Sequence, residues 1–546
     1  MTTKKTSVHM TLALSLAALA LTIVLTSGGE RVSAATFTVS TTADWYDSAV
    51  GNGVCDADPA TGGNQCTLRA AIQEANANIT TPDVISVPSG TYALTLNAAE
   101  NAITPEVSRD LDFRNNITTV NGAGAGITII DGSYIDRIFE VWFNKTVTIN
   151  NLTIQHGAPV GSGPLGQPLP LQGGGLTAAN NTSVTLNGVV IAENQASDGA
   201  GIWNGGTMNV NGSTIRDNLA SANGGGIFNG NTGATVYVNG SALHGNLAGG
   251  AGGGAIYNDN NAGVYNTTIS QNQSTNSGGG GGGILNYTST VMTLWNVTLA
   301  DNSSNSGDKG GGIRNYGYLA TKNSIISNNA GGGGNCAPSG VYSPAPVTSL
   351  GDNLSNDDSC VFRAAGDLNW ANANLGPLQY NGGPTPTRPL VPGSWAIDTE
   401  THNNDCFPTD QRGVARPSGG ACDIGAYEYS SSPPPTATPA PTPTPVPTPT
   451  PVPTPTAIPG AFGNVDCGGG IGSVDSLKVL RHGAGLSVPQ YEPPACEDIN
   501  TMTAWDELQG DVDCDNSVNS VDALKLLRYA AGLLYTQQPN CPDIGS

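Results

Sequence analysis

The sequence predicts an all-β chain: a right-handed parallel β-helix with an N-terminal helical cap, followed by a Pro/Thr-rich linker and a small α-helical domain built on acidic loops. Three observations predict it. A phrase of 25–29 residues recurs through the middle of the chain, 74 of the 546 residues are glycine, and residues 433–459 carry 13 of the 36 prolines. Glycine at about twice its average usage argues against a helical protein, because each helical Gly costs roughly 1 kcal/mol. The glycines do not recur at every third position, which excludes collagen. With 20 basic against 42 acidic residues and a net charge of −22, the chain repels phosphate backbones, so nucleic acid is not an expected partner.

The N-terminus (1–35) reads as a secretion signal. Lys4 and Lys5 precede a fifteen-residue apolar run at 11–25, and Ser33, Ala34 and Ala35 supply small residues for cleavage near Ala34 or Ala35. Fifteen residues fall short of the roughly 20 that span a bilayer, and no second such run follows. The expected mature protein is extracellular, secreted or associated with the cell surface, with no transmembrane segment. Ten cysteines fall in five sequence-adjacent pairs: Cys55 and Cys66, Cys336 and Cys360, Cys406 and Cys422, Cys467 and Cys496, Cys514 and Cys541. An even count in an exported chain implies disulfides, and local pairing is the economical choice, although spacing alone does not fix the connectivity. No Cys-x-x-Cys or Cys/His spacing suggests zinc.

The body spans 36–430. One phrase is a Gly cluster, an aliphatic residue, any residue, then Asn. Its aliphatic positions are Leu176, Ile202, Ile227, Ile256, Ile284 and Ile313, and from the second copy on the closing residues are Asn204, Asn229, Asn258, Asn286 and Asn315. A second phrase in step with it ends at Asn194, Asn218, Asn246, Asn272, Asn302 and Asn329, each after a short alternating strand. Units this short cannot bury an apolar face alone, so they stack at about 4.8 Å and bury the Ile row. Stacked Asn at the turns, in left-handed backbone geometry and bonded to the next coil, is the expected role of the Asn phrases. The Gly clusters would supply positive-φ corners and close backbone approach. At the N-terminal side (36–80), Leu68, Ile72 and Ala75 share one face of a short amphipathic helix that would cap the coil.

Several segments resemble known families. The run from Cys66 to Asn76 is similar to the opening motif of secreted bacterial right-handed β-helix proteins. The Gly/Ile and Asn phrases, about 120–335, resemble the repeats of chlamydial polymorphic outer-membrane proteins. Residues 381–428, including Asp398, Gly413 and Glu428, resemble the closing segment of choice-of-anchor Q proteins, within a closing region at 336–430.

The linker (431–460) favours polyproline II, a stiff spacer. Beyond it, 461–546 holds two copies of one unit, 463–486 and 510–533, offset by 47. In the second copy Asp511, Asp513, Asp515, Ser517 (through its carbonyl), Asn519 and Asp522 fall at loop positions 1, 3, 5, 7, 9 and 12. That is EF-hand donor spacing, suited to Ca2+. The first copy offers Asn464, Asp466, Gly470 and Asp475, with glycine at positions 5 and 9, a weaker second site. A loop followed by a helix, duplicated, resembles type I dockerins. The resemblance implies a cohesin-like partner met through Ser473, Val474, Lys478 and Arg481, or through Ser520, Val521, Lys525 and Arg528.

No nucleophile elbow, zinc-protease or P-loop pattern occurs. The densest early charge cluster is Asp131, Asp136, Arg137 and Glu140; Asp217 and Asp301 share one repeat position three coils apart. Together these observations point to an extracellular β-helix that binds or displays on glycans or surfaces and docks through a calcium-dependent module. The alternative is a polysaccharide hydrolase or lyase of a dockerin-assembled complex.

Overall fold

A computed structural model describes residues 34–78, 82–96, 109–115, 117–159, 171–276, 278–305, 309–337, 345–400, 406–430 and 525–526. The chain divides into two compact units, Met1–Pro443 and Thr444–Ser546. In the second, only Lys525 and Leu526 are described; both are helical. The signal segment, the linker and the acidic loops lie outside the described residues. So do Cys467, Cys496, Cys514 and Cys541, every proposed calcium donor, and every proposed docking residue except Lys525.

The body is a right-handed-type parallel β-helix. Its strands form sheets of 11, 8, 10 and 5 strands, each sheet stacked in parallel along the coil axis. One coil shows the design: Ile202–Asn204 lies in the eight-stranded sheet, Thr207–Asn211 in the eleven-stranded, Thr214–Arg216 in the ten-stranded and Leu219–Ala220 in the five-stranded one. The Ile row stacks as the repeat demands, Leu176 on Ile202, then Ile227, Ile256, Ile284 and Ile313. All six side chains are fully buried.

Two Asn ladders lock the coils. Asn194, Asn218, Asn246, Asn272, Asn302 and Asn329 each donate from Nδ2 to the next Asn Oδ1, at 2.9 Å up to Asn329 and 3.0 Å from there to Asn335. The second ladder runs Asn204, Asn229, Asn258, Asn286 and Asn315 at 2.7–2.8 Å. These Asn do not themselves take the left-handed conformation that the turns require. Beside the first ladder that conformation falls one residue earlier, at Glu193, Asp217, Gly245, Gln271, Asp301 and Asn328; no residue just before a member of the second ladder has it. The side-chain ladder and the corner are therefore separate devices in neighbouring residues. The Gly clusters divide labour in the same way. Gly199, Gly224, Gly253 and Gly281 have positive φ, whereas a Cβ on Gly225 would lie 2.6 Å from the carbonyls of Gly254 and Leu247.

At the N-terminal end the helix Leu68–Ala77 packs on Asp83–Val87 and Leu111–Phe113. The Thr67 hydroxyl accepts from the Ala70 N–H at 3.0 Å and so caps the helix start. Leu68, Ile72 and Ala75 are buried, and so are Arg69, Gln73 and Glu74. The polar face is covered because the preceding loop folds over it. Glu74 accepts the N–H groups of Gly51 and Gly53, Gln73 accepts that of Asp47, and Arg69 pairs with Asp44 at 2.7 Å. Cys55–Cys66, Cys336–Cys360 and Cys406–Cys422 are disulfides.

The closing segment turns back along the outside of the coils. Asn266 Nδ2 donates to the Thr409 carbonyl, Thr268 Oγ1 to Gln411 Oε1, Arg388 Nε to Ser270 Oγ, and the Ala426 N–H to Thr298 Oγ1. It has its own small core, with Leu354, Ala371, Ala373, Leu390, Ala396 and Ile424 packed on Ile325.

Candidate functional site

The outer surface of the coils offers three polar constellations. The first is an acidic pocket on the outer face of the eight-stranded sheet. Register puts Asp112 beside Glu140, and Glu140 beside Thr177. The carboxylate oxygens of Asp110, Asp112 and Glu140 all lie within 4.8 Å of one another. Two arginines pair with them. Arg137 Nε is 3.3 Å from Asp110 Oδ2 and its Nη1 is 3.8 Å from Glu140 Oε2, while Arg114 pairs with Asp112 and lies over the Trp142 ring at 4.1 Å. Trp142 Nε1 donates to Asp112 Oδ1 at 3.2 Å.

Burial, reinforced by the neighbouring Asp112 charge, pushes the Asp110 carboxyl well above the ordinary carboxylate range. Burial disfavours the charge on Arg137, but Glu140, Asp110 and the neighbouring carboxylates outweigh it and hold the guanidinium protonated. Beside this cluster, Arg69, Asn76, Asp110, Asp112 and Arg114 line a cavity of about 200 Å³ under the helix. The three carboxylates could ligate a cation, but they supply few of the six to eight oxygens calcium takes, and each is already paired with Arg114 or Arg137. Glu400, Cys406 and Cys422 also converge, but both sulfurs are committed to a disulfide.

The predicted charge cluster therefore divides. Arg137 and Glu140 belong to the pocket, where they meet Asp110 and Asp112, two residues the sequence did not single out. Strand-to-strand register across about 28 positions brings them together, and local spacing carries no trace of it. Asp131 instead ends the strand Thr128–Asp131 of the ten-stranded sheet, and the Asp136 carboxylate accepts the adjacent Arg137 N–H.

The second constellation is a chain of charges along one corner. Asp131 Oδ2 is 3.0 Å from His156 Nδ1, His156 Nε2 is 3.3 Å from Glu193, and Arg216 bridges Glu193 at 2.9 Å and Asp217 at 2.8 Å. Burial raises the Asp131 carboxyl, but hydrogen bonds from Gln155, the Ser133 N–H and His156 outweigh it and hold it below its usual value. Asp217 and Asp301 do occupy equivalent corners, yet Asp217 pairs with Arg216 and Asp301 with Arg388. They do not face each other across a groove.

The third is the outer face of the eleven-stranded sheet. Its outward positions through 119–239 are Thr119 and Asn121; Thr146, Thr148 and Asn150; Ser183, Thr185 and Asn187; Thr207, Asn209 and Asn211; Thr235, Tyr237 and Asn239. None is charged, and exposure alternates strictly with the buried residues between them. Asn150, Asn187 and Asn211 each donate to the preceding Asn, Asn121, Asn150 and Asn187 respectively, at 2.7–3.0 Å. The result is a flat, rigid array with a step of about 4.8 Å between coils.

No protein family and no curated protein matches the chain. Among solved structures, the crystal structure of pectate lyase Pel9A is similar over 73% of this chain and 98% of that one, at 14% identity and a TM-score of 0.36.

Proposed function

We propose that this is an extracellular protein whose β-helix binds and displays on glycans or other repeating surface ligands. The observation that carries this reading is the uncharged Thr/Asn face at 119–239. It holds hydroxyls and amides at fixed intervals on a chain with net charge −22, and a repeating ligand can meet it rung after rung. The helix 68–77 closes the first coil against water. The 1–35 segment directs export, and the Pro/Thr segment spaces the body from a dockerin-like domain. In that domain Asp511, Asp513, Asp515, Ser517, Asn519 and Asp522 hold one Ca2+, the loop at 464–475 holds a second more weakly, and the two helices dock onto a cohesin-like partner.

The test of the binding face is charge insertion. Thr148→Lys with Thr185→Lys, both at outward positions, should leave the fold intact and reduce retention of the full chain on its polysaccharide by at least tenfold. Unchanged retention across every glycan bound by the parent would remove the face from the account.

A second reading, a polysaccharide hydrolase or lyase, is favoured by one observation: the close approach of Asp110, Asp112 and Glu140. A retaining glycosidase needs two carboxyls about 5–5.5 Å apart. Against it, these groups are locked to Arg114 and Arg137 rather than facing each other across an open groove.

A further inference from the structure

Two tryptophans of the closing segment are left in water. Trp370 is 73% exposed and Trp395 57%. Neither sits on a loose tip. Ala371, Ala373 and Ala396 lie in the closing segment's core at 0–1% exposure. The Ala371 N–H donates to the Ser355 carbonyl and the Trp395 N–H to the Asn372 carbonyl, both at 3.0 Å. Residues 370–373 alternate between outward and inward, and Trp395 lies between the buried Ser394 and Ala396. Both indoles and Asn372 are thus exposed on two bonded segments. The Trp395–Asn372 bond ties the two segments together, and Trp370 lies two residues before Asn372.

Trp370 also has φ 56°, a left-handed backbone that bulky residues rarely adopt and that costs about 1–3 kcal/mol. A strained backbone and an open indole each oppose folding stability, and neither does anything for the core.

The surroundings set the ligand's charge. From 368 to 397 the only charged residue is Arg388, which is buried and paired with Asp301. An anionic ligand would find no free cation in this stretch; of the two carboxylates that flank it, Asp367 accepts from Ser349 and Asn353 and Asp398 accepts the Ala421 N–H. Asn372 Oδ1 accepts the Asn374 N–H at 2.9 Å, which fixes the orientation of its exposed amide.

We propose that Trp370 and Trp395 form a platform for an uncharged polysaccharide, whose sugar rings lay their C–H faces on the indoles while the Asn372 amide donates to a hydroxyl. This rests on the glycan-binding reading above and gives it a second site and a ligand class.

The test uses the full chain in pull-downs on insoluble neutral glycans (cellulose, mannan, xylan) and acidic ones (pectate, alginate). Trp370→Ala, Trp395→Ala and the double variant are compared with the Trp→Phe forms, and circular dichroism and Tm report folding. Retention on at least one neutral glycan is expected, with at least a tenfold loss in the double Ala variant and partial recovery in the Phe variant. A soluble neutral oligosaccharide should shift the parent's tryptophan emission to the blue and leave the double variant's unchanged. Neutral retention that survives the double variant overturns the platform but leaves glycan binding standing. Retention on acidic glycans alone overturns the ligand class. No retention on any glycan overturns both the platform and the reading beneath it; a double variant that then loses self-association, or exposes 431–460 to protease, assigns the indoles to a second copy or to the chain's own linker. Should the Ala forms fail to fold, the comparison rests on the Phe variants and on emission, where an unshifted parent is the overturning result.

Discussion

Asn218 donates from Nδ2 to Asn246 Oδ1 at 2.9 Å, and the same oxygen accepts the Asn218 backbone N–H at 3.2 Å. One amide thus closes a ring with the coil below it. The Asn246 amide repeats the donation to the Ile215 carbonyl and to Asn272 Oδ1, both at 2.9 Å. Asn246→Ala removes all four bonds and leaves buried donors and acceptors without water. At 1–3 kcal/mol per unsatisfied group, with partial relaxation, the expected loss is about 3–5 kcal/mol in a denaturant titration. A half-buried Asn on the sheet's outer face, as in Asn211→Ala, should cost under about 1 kcal/mol.

The corner that follows the eleven-stranded sheet is Asn151, then Gly188, Gly212 and Gly240, then Asn266, Asn296 and Asn323 in successive coils, all with positive φ. A Cβ at Gly212 would meet nothing within 4 Å. Gly212→Asn should therefore change stability by less than about 1 kcal/mol. Gly225→Ala, whose Cβ meets backbone at 2.6 Å, should cost about 1–3 kcal/mol or more. Equal effects in thermal melts would break the equivalence of the coils.

Stability should depend on pH through the closing segment. Burial, and then the Glu428 charge, raise the Asp423 carboxyl to about 7 from its ordinary 3.8. Arg416, 3.1 Å from Glu428 with both side chains out of solvent, partly offsets this. A folded pKa above the unfolded one means the folded state holds the proton more tightly. The contribution is complete below pH 4 and is lost as pH rises through 7, by up to about 4 kcal/mol. Asp423→Asn should flatten the decline in Tm between pH 4 and 7. Glu428, also raised by burial, should leave a smaller slope of the same sign. A parent whose stability rises steadily from pH 4 to 7 would contradict the assignment.

Calcium removal should act on the far end of the chain. Isothermal titration of the full protein should show one tight site, abolished by Asp511→Ala with Asp522→Ala, and a weaker one sensitive to Asp466→Ala. The Tm of the β-helix should not change with chelator. Binding that survives the Asp511/Asp522 pair would dismiss the EF-hand reading of that loop.

The solenoid was legible because its period is covalent: the Ile row and both Asn ladders recur at fixed intervals, and stacking turns intervals into contacts. The left-handed corner was misplaced by one residue, since any of Glu193, Asp217, Gln271 or Asp301 can occupy it and no residue type announces it. The acidic pocket was half visible. Arg137 and Glu140 are close in sequence, but Asp110 and Asp112 reach them only through register. The exposed Trp370 and Trp395 gave no sequence signal, because tryptophan reads as core until the alternation of buried alanines around it is known. The closing ion pairs of Arg412 with Asp410 and Arg416 with Glu428 lie in a segment whose resemblance was clear but whose chemistry depends on folding back.

The central claim is that the body binds glycan without cleaving it. The most direct measurement incubates the full chain with calcium and a panel of neutral and acidic polysaccharides, following retained glycan, new reducing ends and the ultraviolet absorbance of unsaturated products. Retention with neither kind of product is the predicted result. Steady accumulation of either product, abolished by Glu140→Gln, would contradict the account and make the Asp110–Asp112–Glu140 pocket an active site.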